Sequence, residues 1–165
     1  MSASLSFEGG DFESPAAMAE ALGNLQSVLP SKLEQAAEDV AELIAGEART
    51  NAPVDTGDLR SRISGVVEAV GGTIVEIRVG TNRDGAAAQE FGTDPGHFPP
   101  PSALRDWARR VLGDPDAAYP VAQSIAETGL DAQPYLRPAF EDKLEAALDM
   151  IANAVDAAFE EVGFA

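Results

Sequence analysis

The sequence contains no cysteine and a single histidine, His97. The lack of cysteine excludes disulfides and thiolate metal sites, and one histidine excludes a metal site built on a histidine pair. No apolar run approaches the roughly 20 residues of a membrane-spanning helix. Residues 1–10 lack the basic and apolar regions of a signal peptide. We therefore expect a chain with no membrane partner.

Basic residues are also scarce, with lysine only at Lys32 and Lys143, and the net charge is −17. Nonspecific binding to nucleic-acid phosphates needs a basic surface, so this composition argues against it. One interpretation is an ordinary acidic protein kept soluble by self-repulsion. The other is a protein of a salt-loving archaeon, because at about 1 M salt the Debye length is only about 3 Å and repulsion is screened.

The length of 165 residues, 45% of them hydrophobic, suits one domain with a real core. We expect a single α+β domain over residues 1–165, in which two long amphipathic helices pack on a small antiparallel sheet. The sheet would consist of a hairpin and an edge strand. Residues 1–13 would form an N-terminal arm or strand, and residues 94–130 an insert with a proline-rich loop and short helices.

Helical periodicity is clearest in three places. Ser14 and Pro15 predict the start of a short helix that ends near Val28. After Pro30, Ser31 and Glu34 have the spacing of a capping box that opens a long helix. The buried face of this long helix is predicted to contain Leu33, Ala37, Val40, Ile44 and Ala48.

A last helix is predicted from about Arg137 to Val162. Its apolar stripe is made by Leu144, Leu148, Ile151, Val155 and Phe159. Such a stripe is more often core than partner surface, although part of it could serve assembly.

Strand patterns are shorter. Residues 4–7 predict a strand that ends at Gly9 and Gly10, and residues 59–69 lead into a strand. A second strand over 73–79 would be joined to it by a turn at Gly71 and Gly72, and Gly80 would break it. Three short helices are also predicted. The first covers residues 86–91 and is capped by Gly92. The second follows Ser102 as its N-cap, and the third covers about residues 117–128.

Residues 52–62 carry the sharpest local signal. Pro53 lacks a backbone N–H and disfavours helix at the preceding residue, so it ends the long helix. Asp55, Thr56 and Gly57 then supply turn chemistry. Because the period changes from helical to alternating after Gly57, this segment is predicted to join the long helix to the sheet.

Few residues suggest catalysis. Asp94, His97 and Asp106 could form a carboxylate–histidine metal site, but a solvated loop histidine is the favoured interpretation. Asp55 and Asp58 could act as paired carboxylates for acid–base work, but turn and cap roles are the favoured interpretation.

Three arginines, Arg105, Arg109 and Arg110, lie beside Trp107 on one predicted helix. Arginine with an aromatic side chain can bind phosphate and base. The net charge argues against this, so we assign them to acidic partners in the same chain or in a neighbouring subunit.

Three short motifs followed by a final helix resemble one family. They are ARTNAPVDTGDL at 48–59, AQEFGT at 88–93 and QPYLRPAF at 133–140. The ordered set is similar to minor tail or tail-completion proteins of long-tailed viruses, the group of the lambda-type minor tail protein Z. The insert at 94–130 departs from this pattern. The acidic composition fits a tailed virus of a halophilic archaeon.

This resemblance implies a non-enzymatic virion protein, assembled in the host cytoplasm, at the neck between head and tail. It implies a homo-oligomeric ring, expected to be a hexamer, that contacts neighbouring neck and tail-tube proteins. DNA would pass through it without specific binding, and no cofactor is expected. A tail terminator is the alternative within the same class, and a small acidic metal-dependent enzyme the alternative outside it.

The resemblance also selects the candidate structural and interface residues. Glu90 and Arg137 are expected to form a buried or interfacial ion pair. The full set is Pro53, Asp55, Thr56, Gly57, Leu59, Glu90, Phe91, Gly92, Thr93, Pro134, Tyr135, Leu136, Arg137 and Pro138.

Overall fold

The computed structural model describes residues 5–7, 10–71 and 74–164, and this part of the chain has an α+β fold, as predicted. Its helices are α1 (Pro15–Asn51), α2 (Asp58–Ser61), α3 (Ala86–Phe91), α4 (Pro101–Val111), α5 (Ala118–Thr128) and α6 (Leu136–Glu161). A short 3-10 helix, Pro115–Ala117, precedes α5. Its strands are β1 (Leu5–Phe7), β2 (Gly10–Phe12), β3 (Ser64–Gly71) and β4 (Ile74–Gly80).

Helix α1 is one continuous helix of 37 residues, about 55 Å long. Its start is as predicted, because the Ser14 hydroxyl accepts from the Ala17 N–H at 3.2 Å and Pro15 is the first helical residue. The predicted break at Pro30 is wrong. Ser31 is not a cap either, since its hydroxyl donates to the Val28 carbonyl at 2.8 Å.

Most buried residues of α1 follow Pro30, between Leu33 and Ala48, and within α1 only Ala21 precedes it. Helix α6 runs beside α1 far enough for Lys32 to pair with Glu161 at 2.8 Å. Beyond α6, Phe164 contacts Phe12, with ring centroids 4.8 Å apart. An internal proline costs about 3 kcal/mol, and tertiary contacts along the helix outweigh that cost here.

The sheets also differ from the prediction. Strands β3 and β4 form the expected antiparallel hairpin, with Val67 opposite Ile77 and Gly80 as the last residue of β4 rather than its breaker. Strand β1 is not an edge strand of that sheet, because it pairs with β2 in a separate two-stranded sheet. Gly10 starts β2 instead of ending β1. The positions predicted at Ser4, Gly9, Gly72 and Thr73 lie outside the described residues.

Alanines, rather than the leucines, fill the interface between α1 and α6. The predicted α1 face is buried, and so are Ala36, Ala41 and Ala45. On α6 the buried residues are Ala139, Ala147 and Ala158, whereas Leu144 and Leu148 are 41% and 62% exposed. The prediction that the α6 stripe is mainly core is therefore wrong. Small side chains allow two helix axes to approach closely, and this leaves the larger residues at the flank.

The insert forms a helical arm, residues 101–128, in which α4 packs on α5. Helix α5 matches the prediction within one residue, but α4 begins at Pro101 and not after a capping Ser102. Proline is compatible with the first helical position because its missing N–H would lack an intrahelical partner there.

The core lies between α1, the hairpin and the start of α6, where the largest fully buried side chains are Tyr135 and Ile63. Among the described residues, no helix is long and apolar enough to cross a membrane.

Candidate functional site

The corner between α1 and the hairpin contains an extra helical turn, α2, that the sequence did not predict. Ala52 is extended at ψ 131°, as a residue before proline requires, and Gly57 has φ 80°. The Thr56 hydroxyl accepts from the Asp58 N–H at 3.3 Å. Leu59 is buried in the core cluster, so the corner fixes α1 against β3.

The carboxylates of the corner are paired with arginines. Asp58 accepts from Arg62 at 2.8 Å and from Arg83 at 2.9 Å, and these two hydrogen bonds, Arg62 first, lower the pKa of Asp58. Asp55 accepts from the Arg110 Nε at 3.3 Å and is also paired with that guanidinium through its other oxygen. Both carboxylates therefore bind arginine side chains, and neither fills the turn or cap role that the sequence favoured.

Glu90 carries a buried carboxylate, only 5% exposed. Its Oε2 accepts from the backbone N–H groups of Tyr135 and Leu136 at 2.7 and 2.9 Å. Its Oε1 accepts from the Arg137 N–H at 2.9 Å. Glu90 thus caps the N-terminus of α6 from a position 45 residues earlier in the chain.

This cap satisfies the start of α6 completely. The first N–H groups of a helix have no intrahelical partner, and here three of them bind Glu90 while the next residue, Pro138, has no N–H. Tyr135 does not cap the helix with its own side chain, which is buried in the core. The positive end of the helix dipole also favours a carboxylate at this place.

The electrostatics of Glu90 follow from this geometry. Burial alone raises its pKa, but hydrogen bonds from the Leu136, Tyr135 and Arg137 N–H groups, together with the Arg137 charge, outweigh burial, and the net pKa is lowered. Burial, followed by the Glu90 charge, raises the pKa of the Tyr135 phenol.

The predicted Glu90–Arg137 ion pair is not formed within the chain. The backbone N–H of Arg137 binds Glu90, while its guanidinium is exposed. Both carboxylate oxygens accept backbone donors, and the Arg137 charge acts on the pKa of Glu90 without a direct ion pair.

Neighbouring residues extend this contact between the second and third motifs. The Gln133 N–H donates to the Gln89 carbonyl at 2.8 Å, and the Gln89 Nε2 donates to the Gln133 Oε1 at 2.8 Å. Thr93 and Leu130 exchange backbone hydrogen bonds at 2.9 and 3.0 Å. The structure thus brings the motifs at 88–93 and 133–140 together, whereas Pro134 is exposed.

Two glycines make this close approach possible. Gly92 has φ 72°, and a Cβ there would lie 2.5 Å from the Leu130 carbonyl oxygen. Gly129 has φ 80°, and its Cβ would lie 2.2 Å from the Thr93 carbonyl oxygen. Neither contact tolerates a side chain, so both glycines are required at the base of the arm.

An open apolar groove of about 700 Å³ begins at Glu90 and Phe91. Helix α1 forms its floor, β4 one wall and α6 the other. Residues that line it include Val40 and Ile44 of α1, Ile77 and Val79 of β4, and Phe140 and Leu148 of α6. Phe91 is 68% exposed at the end of this groove. Periodicity alone could not reveal the groove, because it depends on how far β4 and α6 stand apart on α1.

The other candidate residues take ordinary surface roles. Asp94, His97 and Asp106 are not brought together, and no group of three or more acidic or histidine side chains in the described ranges is placed to hold a metal ion. The arginines of α4 have acidic partners in the same chain, as expected: Arg105 pairs with Asp116 at 3.5 Å, Arg109 with Asp106 at 2.8 Å, and Arg110 with Asp55.

Comparison with known proteins places part of this structure in a viral context. Residues 16–92 match the family model described as "Bacteriophage HK97-gp10, putative tail-component". The match covers just under half of the chain and includes α1, the corner, the hairpin and α3 with Glu90. No curated protein and no solved structure matches the chain. Over residues 16–92, the chain is similar to the HK97-gp10-like family of bacteriophage tail components.

Proposed function

We propose that this protein is a structural, non-enzymatic virion subunit of the neck, which completes the tail or joins it to the head. It acts as a homo-oligomeric ring, expected to contain six copies, around the channel through which DNA passes. Its neighbours are other neck and tail-tube proteins. The lambda-type minor tail protein Z is the subtype that the three motifs favour.

The family match carries this proposal, since it covers residues 16–92 and describes a tail component. The third motif lies outside the match, but Glu90 binds it directly through the N–H groups of Tyr135, Leu136 and Arg137. The net charge of −17 supports a channel wall that does not retain DNA.

Particle morphology tests the role within the virion. Electron micrographs of a virus that lacks this gene should show full-length tails that fail to join heads. Overlong tails would instead indicate a tail terminator, and normal particles would contradict a role in the neck or tail.

Ring formation is tested on the purified protein. Native mass spectrometry of the full chain should detect a closed oligomer, and Arg137→Ala should weaken it because Arg137 is exposed beside the groove. A wild-type protein that remains a monomer at every salt concentration would overturn the ring.

A further inference from the structure

Two surfaces of the described chain carry large apolar side chains that remain exposed to solvent. The first is the α6 wall of the groove, where Leu148 is 62% exposed. The second is the end of α4 in the helical arm, where Val111 and Leu112 are 55% and 50% exposed. Exposed apolar groups that cluster in this way mark interaction surfaces.

The charges beside these two surfaces are complementary and have the same spacing. On α4, Arg105, Arg109 and Leu112 follow one another at four and three residues, which places them on one face of the helix. On α6, Glu141, Glu145 and Leu148 have the same spacing. Two helix faces thus present the same order of two charges and one leucine, with opposite charges.

The charged side chains on both faces are available. Glu141 and Glu145 are exposed. Arg105 and Arg109 pair only with exposed Asp116 and Asp106. Exposed ion pairs of this kind contribute about 0–1 kcal/mol each, so an exchange of partners costs little.

The two faces are not paired with each other within the described chain. Arg110 holds the end of α4 at Asp55, which lies past the C-terminal end of α1. Arg105 and Arg109 pair with Asp116 and Asp106 rather than with Glu141 or Glu145. The α6 face therefore remains open to a second copy.

We propose that α4 of one copy docks on α6 of the next copy, with Arg105 and Arg109 facing Glu141 and Glu145 and Leu112 at the mouth of the groove beside Leu148. This inference rests on the proposed ring and names its interface. A contact between two different surfaces of the same protein is heterologous, and repetition of it closes into a ring when the rotation permits.

A charge exchange tests the pairing. Variant A carries Arg105→Glu and Arg109→Glu, and variant B carries Glu141→Arg and Glu145→Arg. Each alone should associate at least tenfold more weakly than the wild type in native mass spectrometry and light scattering, because like charges meet at every interface. An equimolar mixture should restore the oligomer, with A and B alternating, because opposite charges then meet at both kinds of interface.

The matched control is Glu34→Arg with Glu38→Arg, which makes the same charge change at the same spacing on an exposed part of α1. It should assemble as the wild type does and should not rescue variant A. Circular dichroism verifies that every variant is folded.

A second test uses the absence of cysteine. Leu112→Cys and Leu148→Cys proteins, mixed and treated with a short bismaleimide cross-linker, should give a covalent heterodimer. The control is Leu22→Cys, because Leu22 lies on α1 and is 45% exposed. Mixed with either of the other two cysteine variants, it should give no covalent heterodimer. Suppose that the wild type forms a ring, that variants A and B assemble as the control does, and that the Leu112→Cys and Leu148→Cys proteins give no cross-link. The proposed docking is then wrong, and the proposed ring is unaffected. If the wild type never associates, the proposed ring fails first.

Discussion

At the scale of single residues, Glu90 joins α3 to the start of α6 through three hydrogen bonds. A glutamate that follows three alanines and one glutamine in a short helix gives no sign that it caps another helix. The family resemblance selected it, but the partner that it suggested was the Arg137 guanidinium. The actual partners are three backbone N–H groups, which no side-chain pattern can indicate.

Removal of the Glu90 carboxylate should destabilise the fold strongly. Hydrogen bonds to charged groups contribute about 1.5–3 kcal/mol each, and buried donors left without a partner add a penalty. We expect Glu90→Ala to lower the free energy of unfolding by about 3 kcal/mol or more in urea denaturation. Glu90→Gln should cost less, because one amide oxygen still accepts. Glu38→Ala, at an exposed position, should stay within about 0.5 kcal/mol of the wild type, and equal losses for Glu90 and Glu38 would contradict the cap.

The same carboxylate should make stability depend on pH. Its folded-state pKa is lowered from the ordinary value of 4.5, so its contribution is present above pH 4.5 and is lost as the pH falls through the folded pKa. The difference in unfolding free energy between the wild type and Glu90→Gln should therefore shrink at acidic pH. A difference that grows on acidification would reverse the sign of the linkage.

Gly92 is expected to tolerate no side chain. Gly92→Ala combines a positive φ with a Cβ 2.5 Å from a backbone oxygen, so it should lower the free energy of unfolding by more than about 1 kcal/mol. Gly23→Ala is the control within α1, where a Cβ meets nothing within 4 Å. That change should stabilise by about 0.5–1 kcal/mol. Similar effects of the two substitutions would show that the approach of Gly92 to Leu130 is not tight.

At the scale of elements, the sequence predicted those parts that depend on local chemistry. The start of α1 at Ser14, the hairpin, the Gly92 cap and α6 all agree with their sequence signals. The predicted and observed elements differ where tertiary contacts, rather than local sequence, determine the structure. Pro30 indicates a break, yet α1 continues through it. Periodicity showed an apolar α6 stripe without revealing that alanines are the buried residues of α6.

The proline inside α1 gives a prediction at this scale. Because the helix is continuous, Pro30→Ala should restore a backbone hydrogen bond and raise the free energy of unfolding by about 1–3 kcal/mol, with a small gain in helical circular dichroism. Pro53→Ala is the comparison, since Pro53 lies outside the helix, and should give no such gain. A loss of stability on Pro30→Ala would mean that the proline is required for the direction in which α1 runs.

At the scale of the whole molecule, charge is the dominant property. A net charge of −17 opposes compaction through self-repulsion. Added salt reduces the Debye length from about 10 Å at 0.1 M to about 3 Å at 1 M. We therefore expect the melting temperature to rise with sodium chloride over this range. A variant with Glu20, Glu34 and Glu38 changed to Gln should show a smaller rise, and a melting temperature independent of salt would contradict the electrostatic interpretation.

Glu90 lies 45 residues before the helix start that it caps, and this separation has a consequence for the folding of incomplete chains. Residues 1–134 contain the carboxylate and most of the core but none of the three N–H groups that neutralise its burial. A truncated chain of this length lacks both α6 and the donors that make burial of the carboxylate tolerable, so we expect it not to reach the native state. Only full-length chains would then fold and enter a growing particle, so folding itself would exclude truncated subunits.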